Sequence, residues 1–404
     1  MVNVIGLGYI GLPTALMLAS HGADVVGTDC KKELVDMLSS GKTTFKEDGL
    51  DELFDSAVKA GIKFTTEYQK TDTYIVSVPT PYDKKTKKID ASYVVKAVSD
   101  VLKVCKEGAT VVIESTVSPG TIDKFVRPAV SESGKGVKLV HAPERIIPGN
   151  MVYELVNNNR TIGADDKETG EKIKNLYSLF CKGEIVITDI KTAEMTKVVE
   201  NTFRAVNIAF ANELAKICDS DNMDVYEIIK ICNMHPRVNI LNPGPGVGGH
   251  CIPVDPWFLV GDYPELAKVI GEALEVNESM PAFVLEKARE TMRKNGKEDL
   301  SKIGLYGIAY KENVDDYRES PTLQMLEYCK EKYNLSLKSY DPYIKKDVCE
   351  NQYHDFDEFL KDTDFVIIMV GHDEIKTESA WEKLRNKTVL DTRRAIKKDG
   401  VYYI

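Results

Sequence analysis

Val2-Asn3-Val4-Ile5-Gly6-Leu7-Gly8-Tyr9-Ile10-Gly11 is the stretch that decides the fold. A short, mostly apolar strand runs straight into Gly-x-Gly-x-x-Gly, and Leu12 to Ser20 continues with helix-forming composition. Ala23 to Gly27 reads as a second strand that ends at Asp29, eighteen residues after Gly11. In that setting the glycines let backbone approach a pyrophosphate at a helix N-terminus, and the carboxylate accepts hydrogen bonds from ribose hydroxyls. The unit is therefore read as a dinucleotide site. Asp29 favours NAD over a phosphorylated cofactor, while Lys31 and Lys32 pull slightly the other way.

Working outward, strand-like runs at 73–78, 109–113, 138–141 and 160–162 alternate with helical stretches, the pattern of a doubly wound parallel sheet. Lys191 to Asp219 then contains no Gly or Pro and is long enough for about eight helical turns. A helix at 225–232 follows, and 242–256 is too rich in Gly and Pro for regular structure. Another helix is expected over 264–294. From Lys302 the strand–helix alternation restarts, with strands at 303–306, 335–340, 365–370 and 387–390 and a helix opening at Ser320-Pro321. The expected architecture is α/β, with two Rossmann-like doubly wound domains joined by a long central helix and a helical middle domain. The boundaries are 1–190, 191–295 and 296–404.

A chain of 404 residues exceeds a single core of roughly 250–300 residues. Its net charge of −10 argues against nucleic-acid or anionic-membrane binding, so an anionic ligand needs a local basic pocket. Eight scattered cysteines without a C-x-x-C pair read as reduced thiols, and six histidines without metal spacing imply no metal. The N-terminus enters a strand with no basic region ahead of an apolar one, and no apolar run approaches ~18 residues. A cytoplasmic protein is expected, with no membrane partner.

Thr80 in Val78-Pro-Thr-Pro81 and Thr116 in Ser115-Thr-Val117 fall where strand ends of the first sheet should line a ligand, or serve as ordinary turns or caps. Lys197, Asn201 and Arg204, spaced four and three, share about 60° of a helix face, either a solvated stripe or part of a site. Cys251 follows Gly248-Gly249-His250 in a loop, four residues before Asp255. A packing thiol more often sits inside a helix or strand, so Cys251 is a candidate nucleophile, with Lys197 as a source of the positive charge that favours thiolate. Arg145, Arg160, Arg237, Lys311, Arg318 and Arg393 lie mostly beside Gly- or Pro-bearing loops and suit a diphosphate or a surface ion pair.

Together these motifs resemble the nucleotide-sugar 6-dehydrogenases, the family of UDP-glucose and GDP-mannose dehydrogenases. The resemblance runs the length of the chain. It covers Gly6 to Gly11, Val78-Pro-Thr-Pro81, Ser115-Thr-Val117 with Pro119-Gly-Thr121, Ala142-Pro-Glu-Arg145, the Lys197/Asn201 helix, Gly248-Gly-His-Cys251, and Gly307-Ile-Ala-Tyr-Lys311 with Arg318-Glu-Ser-Pro321. The segments His235 to Ile240, Pro243 to Cys251 and Asp255-Pro-Trp-Phe258 look like the branch acting on UDP-N-acetylmannosamine, since Val254 stands where the UDP-glucose branch has lysine.

The resemblance implies that a C6 alcohol is oxidised twice by two NAD+ to a carboxylate. It implies roles for Lys197, Asn201, Thr116 and Asp255 in removing the alcohol proton, for Cys251 as the nucleophile that holds the aldehyde, and for Glu144 in activating the hydrolytic water. Pro148 replaces a second family carboxylate. Cofactor contacts fall on Gly6, Gly8, Tyr9, Ile10, Gly11, Asp29, Thr80, Thr116 and Arg318. Substrate contacts fall on Lys197, Asn201, Arg145, Asn150, Arg204, His235, Arg237, Gly248, Tyr310, Lys311 and Arg393. A UDP-sugar partner, a UDP-sugar-binding C-terminal domain and a homodimer through the middle helices are implied as well. Open beside this stand the same chemistry on UDP-N-acetylglucosamine or UDP-glucose, a two-electron hydroxyacid dehydrogenase, and a non-catalytic NAD sensor.

Overall fold

The computed structural model describes residues 1–147 and 149–404, so the Pro148 expectation lies outside the described residues. The chain divides into two compact units, Met1–Glu200 and Asn201–Ile404.

The first unit is an eight-stranded sheet in the order β3-β2-β1-β4-β5-β6-β7-β8. Its strands are β1 (Val2–Ile5), β2 (Val25–Thr28), β3 (Lys63–Thr65), β4 (Thr73–Val76), β5 (Thr110–Ile113), β6 (Lys138–His141), β7 (Arg160–Ala164) and β8 (Ile185–Thr188). β1, β2, β4 and β5 are buried along their whole length, as strands covered on both faces must be. Separate apolar clusters pack on the sheet, one built on Leu12, Leu16 and Phe54, the other on Val94, Val98 and Val101. Strand order reverses between β1 and β4, and that switch opens a crevice at their carboxyl ends. The sheet is not wholly parallel. β7 pairs antiparallel with β6 through Val140–Ala164 and His141–Gly163, and β8 then runs parallel to β7. The helix Met151–Asn157 lies between β6 and β7.

The helix Ile190–Ser220 runs 31 residues, about 46 Å, and crosses the boundary between the units. Asp189 opens it, accepting from the Thr192 amide at 2.9 Å and hydroxyl at 2.6 Å. Left-handed Asn222 (φ 55°) follows its end.

In the second unit the sheet order is β11-β10-β9-β12-β13-β14, with every pair parallel. Its strands are β9 (Ile303–Tyr306), β10 (Lys338–Tyr340), β11 (Gln352–Tyr353), β12 (Phe365–Ile368), β13 (Thr388–Asp391) and β14 (Val401–Tyr403). The single helix expected over 264–294 is two, Lys268–Glu278 and Met280–Lys294. Pro281 sits in the first turn of the second, where a missing N–H costs nothing. Regular structure also returns earlier than Gly and Pro content suggested, with a helix over Asp255–Asp262 that carries Pro256 in its own first turn.

The loop after β9 is clamped by Asp341 at the end of β10. Its Oδ2 accepts from the amides of Ile308 (2.6 Å) and Ala309 (2.8 Å), and its Oδ1 from those of Tyr343 (2.7 Å) and Ile344 (3.1 Å). His372 Nε2 lies 3.2 Å from the same Oδ2, fully buried.

Candidate functional site

In the first unit, the three glycines of the opening motif are required for different reasons. A Cβ at Gly6 (φ +86°) would lie 2.1 Å from Ser77 O, and one at Gly11 would lie 1.9 Å from Gly6 O. A Cβ at Gly8 would meet nothing within 4 Å. The protein's own backbone therefore demands Gly6 and Gly11, whereas Gly8 leaves an open cradle that a side chain would fill. Ile10 caps the helix Gly11–Ser20, whose first turn carries no acidic residue to compete for an anion. The Tyr9 ring packs against Phe45 at 4.4 Å between centroids.

Asp29 sits at the rim of this cradle. Its Oδ2 accepts from Leu7 N at 2.8 Å and its Oδ1 from Lys31 N at 2.9 Å, which leaves each oxygen a further lone pair for a ribose hydroxyl. Lys32 is paired with Asp36 at 2.6 Å. The residues present fit NAD: an open glycine cradle, a helix start and a carboxylate with spare acceptor capacity.

The ends of β4 and β5 are stapled by Ser115, whose Oγ donates to Val78 O (2.7 Å) and accepts from Val78 N (2.8 Å). Thr80 is buried and Thr116 half-buried on these two loops. Beyond Thr116, Glu194 of the long helix accepts from Gly120 N at 2.5 Å and Ile122 N at 2.9 Å. Burial pushes its carboxyl up to about 7, against those two amides. Sequence reasoning missed both Ser115 and Glu194. The one available signal was an acidic residue three positions before Lys197 in an otherwise mixed helix.

Glu144 is buried, its Oε1 accepting from Arg145 N at 2.7 Å and its Oε2 in an ion pair with Arg160. Arg160 is itself buried, stacked at 4.5 Å over Tyr177, and lies 3.9 Å from Glu114. Glu114 accepts from Tyr177 OH (3.0 Å) and Thr14 Oγ1 (3.2 Å), and burial pushes it up to about 8, against the pull of Arg160. Arg145 is held by Glu200 at 2.6–2.9 Å, Asn159 O and Thr161. Its guanidinium is thus engaged by the protein itself. Lys197 is buried (7% exposed), and among the described residues its ammonium has no hydrogen bond or ion pair. Asn150 is exposed at the start of the helix Met151–Asn157.

In the second unit, Asn201 Nδ2 donates to Asp255 Oδ2 at 2.6 Å, and both residues are buried. Cys251 is exposed. Its carbonyl accepts from the amides of Val254 (3.1 Å) and Asp255 (2.8 Å), so a tight turn links the thiol to the helix that Asp255 begins. The preceding glycines are pressed on a neighbouring loop. A Cβ at Gly248 would lie 2.7 Å from Tyr310 Cβ and 2.8 Å from Glu319 O, and Gly249 N donates to Arg318 O at 2.8 Å. Arg318 forks onto Asp316 at 2.6–3.1 Å, and Lys311 is exposed.

Arg393 makes one side-chain hydrogen bond, from Nε to Met369 O at 3.2 Å. No carboxylate among the described residues lies within ion-pair range of it, and burial lowers its proton affinity. Arg204, His235 and Arg237 are exposed. No group of three or more potential metal ligands occurs among the described residues. No helix of the described residues is long and apolar enough to cross a membrane.

Three family models match the chain, all of the UDP-glucose/GDP-mannose dehydrogenase family. They are the NAD binding domain over residues 1–181, the central domain over 191–279 and the UDP binding domain over 304–398. A UDP-N-acetyl-D-mannosamine dehydrogenase from Methanococcus vannielii is 42% identical over 98% of this chain and 93% of its own length. An NDP-N-acetyl-D-galactosaminuronic acid dehydrogenase from Ralstonia nicotianae is 39% identical over 97% of this chain and 95% of its own. Among solved structures, the UDP-N-acetyl-mannosamine dehydrogenase of Staphylococcus aureus superposes with a TM-score of 0.88 at 40% identity, covering 100% of this chain and 97% of that one. A Pyrococcus horikoshii relative described as a UDP-D-ManNAc dehydrogenase superposes with a TM-score of 0.91 at 35% identity, covering 100% and 99%.

Two outcomes are expected. Gly8→Val weakens NADH binding by about tenfold or more, measured by fluorescence titration, with an unchanged melting temperature, whereas Gly6→Ala lowers the melting temperature. Equal melting losses in both would contradict the cradle. Secondly, Glu114 and Glu194 hold more protons folded than unfolded between the ordinary carboxyl value of 4.5 and about 7 to 8. Their linkage lowers stability as pH rises across that window. Urea unfolding from roughly pH 5 to 8 reads this slope, and Glu194→Gln makes it shallower.

Proposed function

Because the chain belongs to the UDP-glucose/GDP-mannose dehydrogenase family, and is therefore an NAD-dependent oxidoreductase, we propose that it oxidises C6 of UDP-N-acetyl-D-mannosamine to the carboxylate. One alcohol, two NAD+ and one water become one carboxylate, two NADH and three protons. The observation that carries this reading is the exposed Cys251 thiol on its glycine-built turn, beside the buried Asn201–Asp255 pair. The names of relatives at about 40% identity over nearly the whole chain support the sugar.

The Gly6–Gly11 cradle and Asp29 would hold NAD, which would supply the hydride acceptor for each oxidation. Lys197, Asn201, Thr116 and Asp255 are assigned to loss of the alcohol proton and to stabilising the developing oxyanion. Cys251 Sγ then bonds to the aldehyde carbon as the carbonyl π pair moves to oxygen, which takes up a proton while the thiol loses its own. The trigonal carbon has become tetrahedral and can lose a second hydride together with the hydroxyl proton, leaving a thioester. Water attacks that thioester, Glu144 takes a proton from it, and the Cys251 sulfur departs as the acid forms. Arg204, His235, Arg237, Gly248, Tyr310, Lys311 and Arg393 serve the substrate's sugar and diphosphate. Arg145 and Asn150 are kept in the same set, Arg145 through its hold on the loop beside Glu144.

The relative named for N-acetyl-D-galactosaminuronic acid, 39% identical, favours one second reading: the same chemistry on an N-acetylgalactosamine nucleotide. The reading also places the enzyme in the cytoplasm and divides it at 190 and 295, with the middle part pairing two copies. Phe203, Phe210 and Ile217, seven apart on the long helix and 68%, 51% and 50% exposed, support that pairing.

Incubation with each UDP-N-acetylhexosamine and NAD+ should give two NADH per sugar acid, by absorbance and mass spectrometry, fastest with the mannosamine epimer. Cys251→Ala should abolish acid while retaining NADH binding, and normal acid formation would remove the thioester from the mechanism. For assembly, Phe203→Asp with Phe210→Asp should halve the sedimenting mass, and an unchanged mass places the interface elsewhere.

A further inference from the structure

Three asparagines of the second unit hold one stretch of chain, and a fourth backs one of them. Asn207, on the long helix, donates to Asn239 O (2.9 Å) and accepts from Leu241 N (3.0 Å). Asn233 grips Ile240 from both sides, accepting from its N (2.7 Å) and donating to its O (2.9 Å). Asn212, fully buried, accepts from Gly244 N at 2.9 Å and donates to Asn277 Oδ1 at 2.8 Å. Asn277, also buried, donates in turn to Ala205 O at 3.0 Å. The relay Gly244–Asn212–Asn277–Ala205 has a fixed sense. The carboxamide supplies both the acceptor for the Gly244 amide and the donor for the next link, which neither an apolar residue nor an ionised carboxylate at 212 would do.

What the relay holds is the α-carbon of Gly244 against Arg393. A Cβ there would come 2.5 Å from Nη1 of Arg393 and 3.0 Å from its Cζ. Arg393 follows β13, and its other anchor, Met369 O, follows β12. The guanidinium therefore lies at the carboxyl ends of parallel strands, where open α/β sheets bind ligands. Gly244 forms one wall behind that guanidinium, and the segment it starts runs on to Cys251.

We propose that Asn212 and Asn277 are positioning residues for the diphosphate of the nucleotide sugar, acting through Gly244 on the direction of Arg393. The proposal rests on Arg393 serving the diphosphate but not on which sugar is oxidised. Removing the relay frees Gly244 to shift toward or away from the guanidinium, and a fork aimed at two phosphate oxygens loses its geometry. The NAD cradle of the first unit contributes no residue to this relay.

The test uses the full-length enzyme with UDP itself as probe, so it holds even if the sugar assignment fails. Asn212→Leu and Gly244→Ala are each titrated with UDP and, separately, with NADH by calorimetry. Both should weaken UDP by about tenfold or more while NADH stays within about twofold. With the preferred UDP-sugar, KM should rise by the same factor as the UDP Kd, with kcat changed far less. Arg393→Ala should weaken UDP at least as much, and adding Asn212→Leu to it should have little further effect, as expected of residues acting through one group. If Asn212→Leu does not fold, Gly244→Ala decides alone. UDP affinity within about twofold of wild type, an equal loss of NADH affinity, or a full additional loss in the double variant overturns the proposal. If Arg393→Ala leaves UDP binding intact, the reading of Arg393 fails instead.

Discussion

Close approach of one stretch of backbone to another, nearer than a β-carbon permits, is the constraint on which both units depend. Gly6 against Ser77 O and Gly11 against Gly6 O bring the first loop down onto the sheet and start the first helix in line with the crevice. Gly307, at φ +96°, does the same in the second sheet, where a Cβ would lie 2.5 Å from Val370 Cβ. Gly244 and Gly248 press the thiol-bearing segment on Arg393 and Tyr310. Each contact lies where strands end, because there chains diverge and side chains would otherwise fill the space a ligand needs. Any other residue at Gly6 or Gly11 would shift backbone rather than a flexible side chain, and the loop would move with it, whereas at Gly244 it would meet the guanidinium end of Arg393.

Around these contacts, polar side chains act as fasteners. Ser115 joins two strand ends, Glu194 holds the loop beyond Thr116, and the asparagines of the second unit hold 239–244. Burial leaves Glu194 and Asn212 few alternatives, since a buried amide or carboxylate without its partner costs about 1–3 kcal/mol. Glu114, Glu144 and Arg160 form a denser example, with one cation between two carboxylates behind the site.

Much of this was legible in the amino-acid order wherever backbone geometry restricts residue choice. The glycine motif, Asp29, the Gly- and Pro-free run that became Ile190–Ser220, and the Ser320-Pro321 helix start are all of that kind. The thiol loop was visible for the same reason, and its cysteine is exposed. Edge strands of two or three residues, Lys63–Thr65, Gln352–Tyr353 and Val401–Tyr403, left no period to read. Nothing in the residues of β7 marks the strand as antiparallel to β6. Arg160 was read as a diphosphate ligand or surface ion pair and is instead buried against Glu144, and Glu194 and Asn212 were illegible for a further reason. Their partners lie far away in sequence, 72 to 74 residues for Glu194 and 65 for the Asn212–Asn277 bond, and nothing local distinguishes them from ordinary helix or strand residues.

The two acidic residues that close the second strand of each sheet differ in a way that bears on selectivity. Asp29 spends one bond per oxygen on its own chain, whereas Asp341 is saturated by four amides and a histidine ring. A carboxylate with every lone pair committed cannot discriminate among sugars. The second sheet is thus a lock whose usual keyhole has been filled from inside, and it must tell its visitor apart by other means. One architecture used twice in a single chain thus carries, at the same strand end, one carboxylate with acceptors to spare and one with none.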